Sequence, residues 1–123
     1  MRIVCADHSR LGLAKQKRIT MQLVPDAEIV GFRKPAEVLA LAEEQKIDIL
    51  LTEVDFGGSR WEGLELVRRV KELQPSVNII LVTAESGRDF SEDMISLRIS
   101  GFVSKPYEIG DMRKEFENLR YPV

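Results

Sequence analysis

Ile47-Asp48-Ile49-Leu50-Leu51-Thr52-Glu53-Val54-Asp55 joins an apolar run to two acids at its end. From Ile47 to Leu51 only Asp48 is polar. An apolar run of this length, closed by polar residues, reads as a strand buried on both faces. Such strands sit in the middle of parallel sheets. Open α/β sheets bind their ligands beyond the carboxyl ends of the strands, which is where Glu53 falls. A carboxylate in that place can be a nucleophile, a metal ligand or a salt-bridge partner.

On the amino-terminal side, Pro35 suits the first turn of a helix. Val38, Leu39, Leu41 and Ala42 give that helix an apolar face through Gln45. Glu28 to Phe32 (EIVGF) reads as an edge strand weakened by Gly31. Arg2 to Ala6 (RIVCA) is a short apolar strand ending at Asp7. Ser9 is a candidate N-cap for a helix from Arg10 to Leu23, with Leu11, Ala14, Ile19 and Leu23 as expected core residues. Gly12 weakens that helix, Lys15, Lys17 and Arg18 crowd its middle, and Pro25-Asp26 breaks it.

On the carboxyl-terminal side a loop runs from Val54 to Glu62. Gly63 to Leu73 is predicted helical, with Leu64, Leu66, Val67 and Val70 inward, and Pro75 ends it. Val77 to Thr83 (VNIILVT) is a fourth strand and Ser86 to Asp89 a polar turn. Phe90 to Ile99 is a modest helix using Phe90, Met94, Ile95 and Leu97, with Gly101 as its expected stop. Phe102 and Val103 form a short fifth strand, closed by Ser104-Lys105-Pro106. Glu108 to Arg120 is the last helix, with Ile109, Met112, Phe116 and Leu119 on one face. Strand and helix alternate five times. That argues for α/β architecture: a three-layer, doubly wound parallel sheet, since each parallel crossover takes a helix.

A length of 123 residues agrees with one domain, over positions 1–120, with 121–123 as the start of a linker or the terminus. A net charge of −2 gives no argument for direct nucleic-acid or membrane contact. Cys5 is the only cysteine, so no internal disulfide forms and a reducing, cytoplasmic location is expected. No segment approaches a membrane span, and Met1-Arg2-Ile3-Val4 enters a strand at once, leaving no room for a signal peptide.

In a five-stranded sheet of order 2-1-3-4-5, the ends of strands one, three, four and five are adjacent. They would bring Asp7, Glu53, Thr83 and Lys105 to one shallow pocket holding carboxylates, a hydroxyl and an ammonium. This set resembles the receiver domains of bacterial two-component response regulators. The resemblance covers essentially the whole chain. It rests on Asp7, Thr83-Ala84 and Lys105-Pro106, on Phe102 at the family's aromatic switch position, and on Gly63-Leu64-Glu65-Leu66-Val67 opening the third helix.

The resemblance implies a flavodoxin-like fold and phosphoryl transfer from a sensor histidine kinase to an acid ending strand three. It implies a signalling domain rather than an enzyme, with Thr83, Lys105 and Phe102 as switch or phosphate-contacting residues. It further implies Mg²⁺ held by carboxylates, here Asp7, Glu53 and Asp55. Two departures stand out. The acceptor position carries Glu53, not aspartate, although Asp55, past the strand end, is an alternative. The acidic pair before the first helix is reduced to Ala6-Asp7, which weakens Mg²⁺ binding. Glutamate is one methylene longer, so Glu53 can reach Lys105 and mimic a charged acceptor. The expectation is a degenerate receiver, not phosphorylated in the usual way.

His8 reads as a solvated loop residue, Gly57-Gly58 as a turn, and the Lys15, Lys17 and Arg18 cluster as a solvated face. Trp61 is either a partner anchor or folded over the third helix. The run Phe116 to Val123 resembles the junction to an output domain, which suggests transcriptional control through a part absent from this sequence. The region of Phe90 to Ile99, Phe102 and the last helix is the family's output face and a possible homodimer surface. Competing readings are an interaction-only pseudo-receiver and a flavin carrier. The second lacks a glycine-rich phosphate loop after strand one.

Overall fold

The computed structural model describes residues 1–58, 61–85 and 90–119. Its elements are β1 (Arg2–Ala6), α1 (Arg10–Leu23), β2 (Glu28–Phe32), α2 (Pro35–Glu44), β3 (Ile49–Thr52), α3 (Trp61–Leu73), β4 (Asn78–Thr83), α4 (Ser91–Ser96), β5 (Gly101–Ser104) and α5 (Ile109–Asn118). Every strand pair is parallel and the order is β2-β1-β3-β4-β5. The doubly wound α/β sheet expected from the alternation is therefore present. The turn Ser86 to Asp89, the terminal Tyr121-Pro122-Val123 and the side chain of Trp61 lie outside the described residues.

Successive strand residues point to opposite faces, and the two cores follow that alternation. Ile3, Cys5, Ile49, Leu51, Ile80 and Val82 pack with Ile19 and Leu23 of α1 and with Met112 and Phe116 of α5. Val4, Ala6, Leu50, Ile79 and Leu81 pack with Val38 and Ala42 of α2 and with Leu64, Val67 and Val70 of α3. Side chains such as Leu50 and Ile80 are fully buried, each contributing roughly 1.5–3 kcal/mol relative to exposure. Among the described residues no helix is long and apolar enough to cross a membrane.

Ser9 caps α1, its hydroxyl accepting from Gly12 N at 3.1 Å. The inward face of α1, however, is not the expected one. Leu11 is 84% exposed and Ala14 is exposed, while Gln16 and Thr20 are buried beside Ile19 and Leu23. The helix is rotated to bring polar groups under the end of β1. At the other end of the chain, Ile95 is exposed too. α4 spans only Ser91–Ser96, too short for a full apolar stripe. Nor does Gly101 stop that helix. Arg98 takes the left-handed conformation at φ 53, and Gly101 is a buried residue of β5.

Cys5 is wholly enclosed in β1. Burial pushes its thiol up to about 12, against a hydrogen bond with Thr20 and the charge of Lys17 that pull the other way. The thiolate is the reactive form, so native protein is expected to resist thiol reagents at neutral pH and to react once unfolded in urea. A folded value above the unfolded one means stability is intact below the unfolded value of 9.0. It is lost as pH climbs toward the folded value. Urea midpoints across the alkaline range check the sign. Stoichiometric labelling of the folded protein at neutral pH would contradict it.

Candidate functional site

At the carboxyl rim of the sheet, Asp7, His8, Glu53, Asp55, Thr83 and Lys105 line a shallow cleft of about 280 Å³. A larger groove, about 510 Å³, lies at the opposite rim between the ends of α2 and α3. There the Gln74 amide donates to Ala42 O and Gln45 O and its oxygen accepts from Ile47 N. Gln74 latches that rim together, whereas the buried acids Asp7 and Glu53 lie at the carboxyl rim.

Lys105 sits at the centre of the cleft. Its Nζ donates to Asp7 Oδ2 at 2.7 Å and to Glu53 Oε2 at 2.8 Å. Both are charge-assisted bonds at the short end of the normal range. Burial alone would pull the ammonium down. The hydrogen bonds and charges of Asp7 and Glu53 outweigh that and hold it above the ordinary lysine value. The remaining carboxylate oxygens are engaged by main chain. Asp7 Oδ1 accepts from Ser9 N at 2.8 Å, and Glu53 Oε1 from Val54 N at 2.7 Å. Asp7 is 1% and Glu53 7% exposed.

Thr83 ends β4, 1% exposed, with its hydroxyl accepting from Glu85 N at 3.2 Å. Asp55 is exposed, and its main-chain N–H lies 3.5 Å from Glu53 Oε1. Its Oδ1 accepts from Gly57 N at 2.7 Å, an Asx turn in which Gly57, lacking a Cβ, takes φ +99. His8 is exposed, with its ring against Gly57. Phe102 is outside the cleft, half-buried on the α3 side with its ring centroid 6.4 Å from that of Phe90.

Two residues at the site escaped sequence reasoning. A Cβ on Gly12 would lie 2.5 Å from Asp7 Oδ2, so the bare backbone of α1 makes room for the carboxylate. Gln16 Nε2 donates to the same oxygen at 3.3 Å from a fully buried position. The legible signal was a polar residue on the helix face shared by Ile19 and Leu23.

Mg²⁺ demands near-octahedral oxygen ligation. Position 6 supplies no carboxylate, and an ammonium already stands between Asp7 and Glu53. Asp55 is committed to its turn. Among the described residues no group of three or more His, Cys, Asp or Glu side chains is arranged to hold a metal ion. As arranged, Asp7, Glu53 and Asp55 do not fit the ion.

A profile of the response regulator receiver domain matches residues 3–117. The response regulator receiver protein CpdR of Brucella abortus (strain 2308) is 25% identical over 91 residues, 74% of each chain. The transcriptional regulatory protein FlgR of Helicobacter pylori is 26% identical over 98 residues, covering 80% of this chain and 24% of its own. The DNA-binding transcriptional regulator NtrC of Escherichia coli (strain K12) is 28% identical over 80 residues, 65% of this chain and 17% of its own. The chain thus spans a quarter or less of these two regulators. In fold, it superposes on the BeF3-activated DrrB receiver domain with a TM-score of 0.81, 20% identity and coverage of 98% and 97%. The CheY-like receiver domain protein of Methanospirillum hungatei JF-1 gives 0.79, 22%, 97% and 96%. With a parallel sheet of this order, acids and a lysine at its rim, and a profile match over nearly its whole length, the chain belongs to the response regulator receiver domain family.

Proposed function

We propose that this chain receives signals in a two-component system through a site held by an internal ion pair, with no usual phosphoryl transfer to an aspartate. The observation that carries this reading is the state of Glu53. One oxygen of its carboxylate holds Lys105 and the other holds the Val54 amide. A carboxylate engaged at both oxygens is a poor in-line nucleophile, and displacement chemistry tolerates little misplacement. Thr83 and Phe102 then serve as switch residues. Mg²⁺ affinity is weak. The domain works by binding a histidine kinase or another signalling protein, and a second copy of itself, and is not itself an enzyme. The transcriptional relatives favour an output domain beyond this sequence, acting in the cytoplasm.

Incubation with acetyl phosphate and Mg²⁺, followed by intact mass, tests the reading. The natural chain is expected to gain no phosphoryl group. Glu53→Asp, which withdraws the carboxylate from Lys105 by one methylene, is expected to respond to beryllofluoride in amide NMR spectra. Stoichiometric phosphorylation of Glu53 in the natural chain sinks the proposal. The poor fit to Mg²⁺ favours a second reading, an interaction module with no phosphate or metal chemistry. Silence of Glu53→Asp toward beryllofluoride would select that one.

A further inference from the structure

Gln16 is an unusual residue to find under a sheet. It is fully buried on the α1 face that meets β1. Its Oε1 is enclosed and has no hydrogen-bond partner among the described residues. A buried, unpaired acceptor destabilises the fold, and an apolar side chain of similar length would avoid it. The other end of the same amide gives the one return visible for that cost. Nε2 reaches Asp7 Oδ2, the oxygen that also takes Lys105. On its far side this oxygen fits against Gly12 only because Gly12 has no Cβ. The Gln16 main chain is itself steadied by the Thr20 hydroxyl, which donates to Gln16 O at 2.7 Å.

We infer that Gln16 is a positioning residue for the acid cleft: its amide aims Asp7 at Lys105 and so sets how firmly the lysine ties β5 to β1 and β3. Among the described residues Asp7 has three donors around it: Ser9 N, Gln16 Nε2 and Lys105 Nζ. The first is fixed by the cap of α1 and holds Oδ1. The second is a buried side chain that holds Oδ2, the oxygen presented to the lysine, from the α1 side. Without it the carboxylate is free to swing about its Ser9 contact, and Lys105 falls back on Glu53 alone. The inference rests on the reading of Lys105 as the element that holds the site. It is measured on the lysine itself, with no partner or phosphoryl donor present. The signalling proposal can therefore fail while this assignment stands, and the reverse.

Gln16→Met keeps length and burial, removes the donor and removes the orphan acceptor. Two quantities are then read at one fixed pH: the exchange of the Lys105 ammonium protons by ¹⁵N NMR, and the rate at which an amine-directed reagent modifies Lys105. The expected result is faster exchange and modification on the order of tenfold faster, the factor carried by one charge-assisted hydrogen bond. The urea midpoint is expected to hold or rise. Ile19→Val, an apolar change in the same buried layer, is expected to lower the midpoint and leave Lys105 as it was. If Gln16→Met does not fold, Gln16→Asn, which withdraws the amide by one methylene, is measured in its place. An unchanged Lys105 in folded Gln16→Met or Gln16→Asn overturns the inference. So does an equal acceleration in Ile19→Val.

Discussion

Lys105→Met is expected to cost the fold about 3 kcal/mol or more at neutral pH, near the lower bound for breaking a buried pair. Methionine keeps the apolar stem and deletes only the ammonium. Asp7 and Glu53 would then share one cleft, almost fully buried, with no cation between them. The loss is expected to be smaller than for a fully enclosed pair because the Lys105 side chain is 23% exposed, which lets water in. The pH dependence fixes the interpretation. The folded lysine is held above its ordinary value of 10.5. Its contribution is therefore complete below that value and disappears as pH rises through the folded one. The gap between natural and variant protein should be full at neutral pH and narrow as pH rises through the folded lysine's value. Urea midpoints at neutral and strongly alkaline pH measure it. Equal midpoints at neutral pH would show that the lysine bridges the acids without stabilising them.

Gly63→Ala should be comparably damaging, against the rule that alanine favours helices. Gly63 is the third residue of α3, and its N–H donates to Val54 O at 2.9 Å. A Cβ there would stand 2.5 Å from Val54 Cα and Val54 O and 2.6 Å from Glu53 O. These are main-chain atoms and cannot rotate away. Either α3 backs off or the loop after β3 moves and carries Glu53 with it. Helix propensity would favour alanine by about 1 kcal/mol. The clash is expected to exceed that and leave a net loss of about 2–4 kcal/mol. Gly110, near the start of α5, is the internal control, since nothing lies within 4 Å of a Cβ built there. Gly110→Ala should gain about 0.5–1 kcal/mol by restricting the unfolded chain. The two substitutions are the same chemistry with opposite expected signs. A neutral Gly63→Ala would mean the α3 contact is loose.

How much of this was legible in the chain depends on the kind of information each element needs. β3 and β4 are written in continuous apolar runs, because a strand covered on both faces has no polar side to confuse the reading. The gathering of Asp7, Glu53, Thr83 and Lys105 followed from placing each at a strand end in one strand order. α1 was harder. Its periodicity was thin, and the face it buries is chosen by Asp7, which calls Gly12 and Gln16 inward and leaves Leu11 in solvent. Gly12, weak for a helix, is explained only by the carboxylate lying against it. Gly101 looked like a helix stop, yet the stop is Arg98 in a conformation that arginine seldom adopts. That one ammonium would satisfy two acids at once depends on side-chain torsions, which no pattern of residue types records.

The bridge from Lys105 also has a mechanical meaning. β3 and β4 stand between β5 and β1, three spacings or about 14 Å of sheet. A side chain joining the outer members of that set is a chord drawn under an arc. A parallel sheet is a twisted, springy surface, and a chord fixes the curvature of the rim to which it is tied. Loosening the chord at either acid lets the arc open. The chord thus holds the end of β5, with α5 packed behind the sheet, at a set distance from β1.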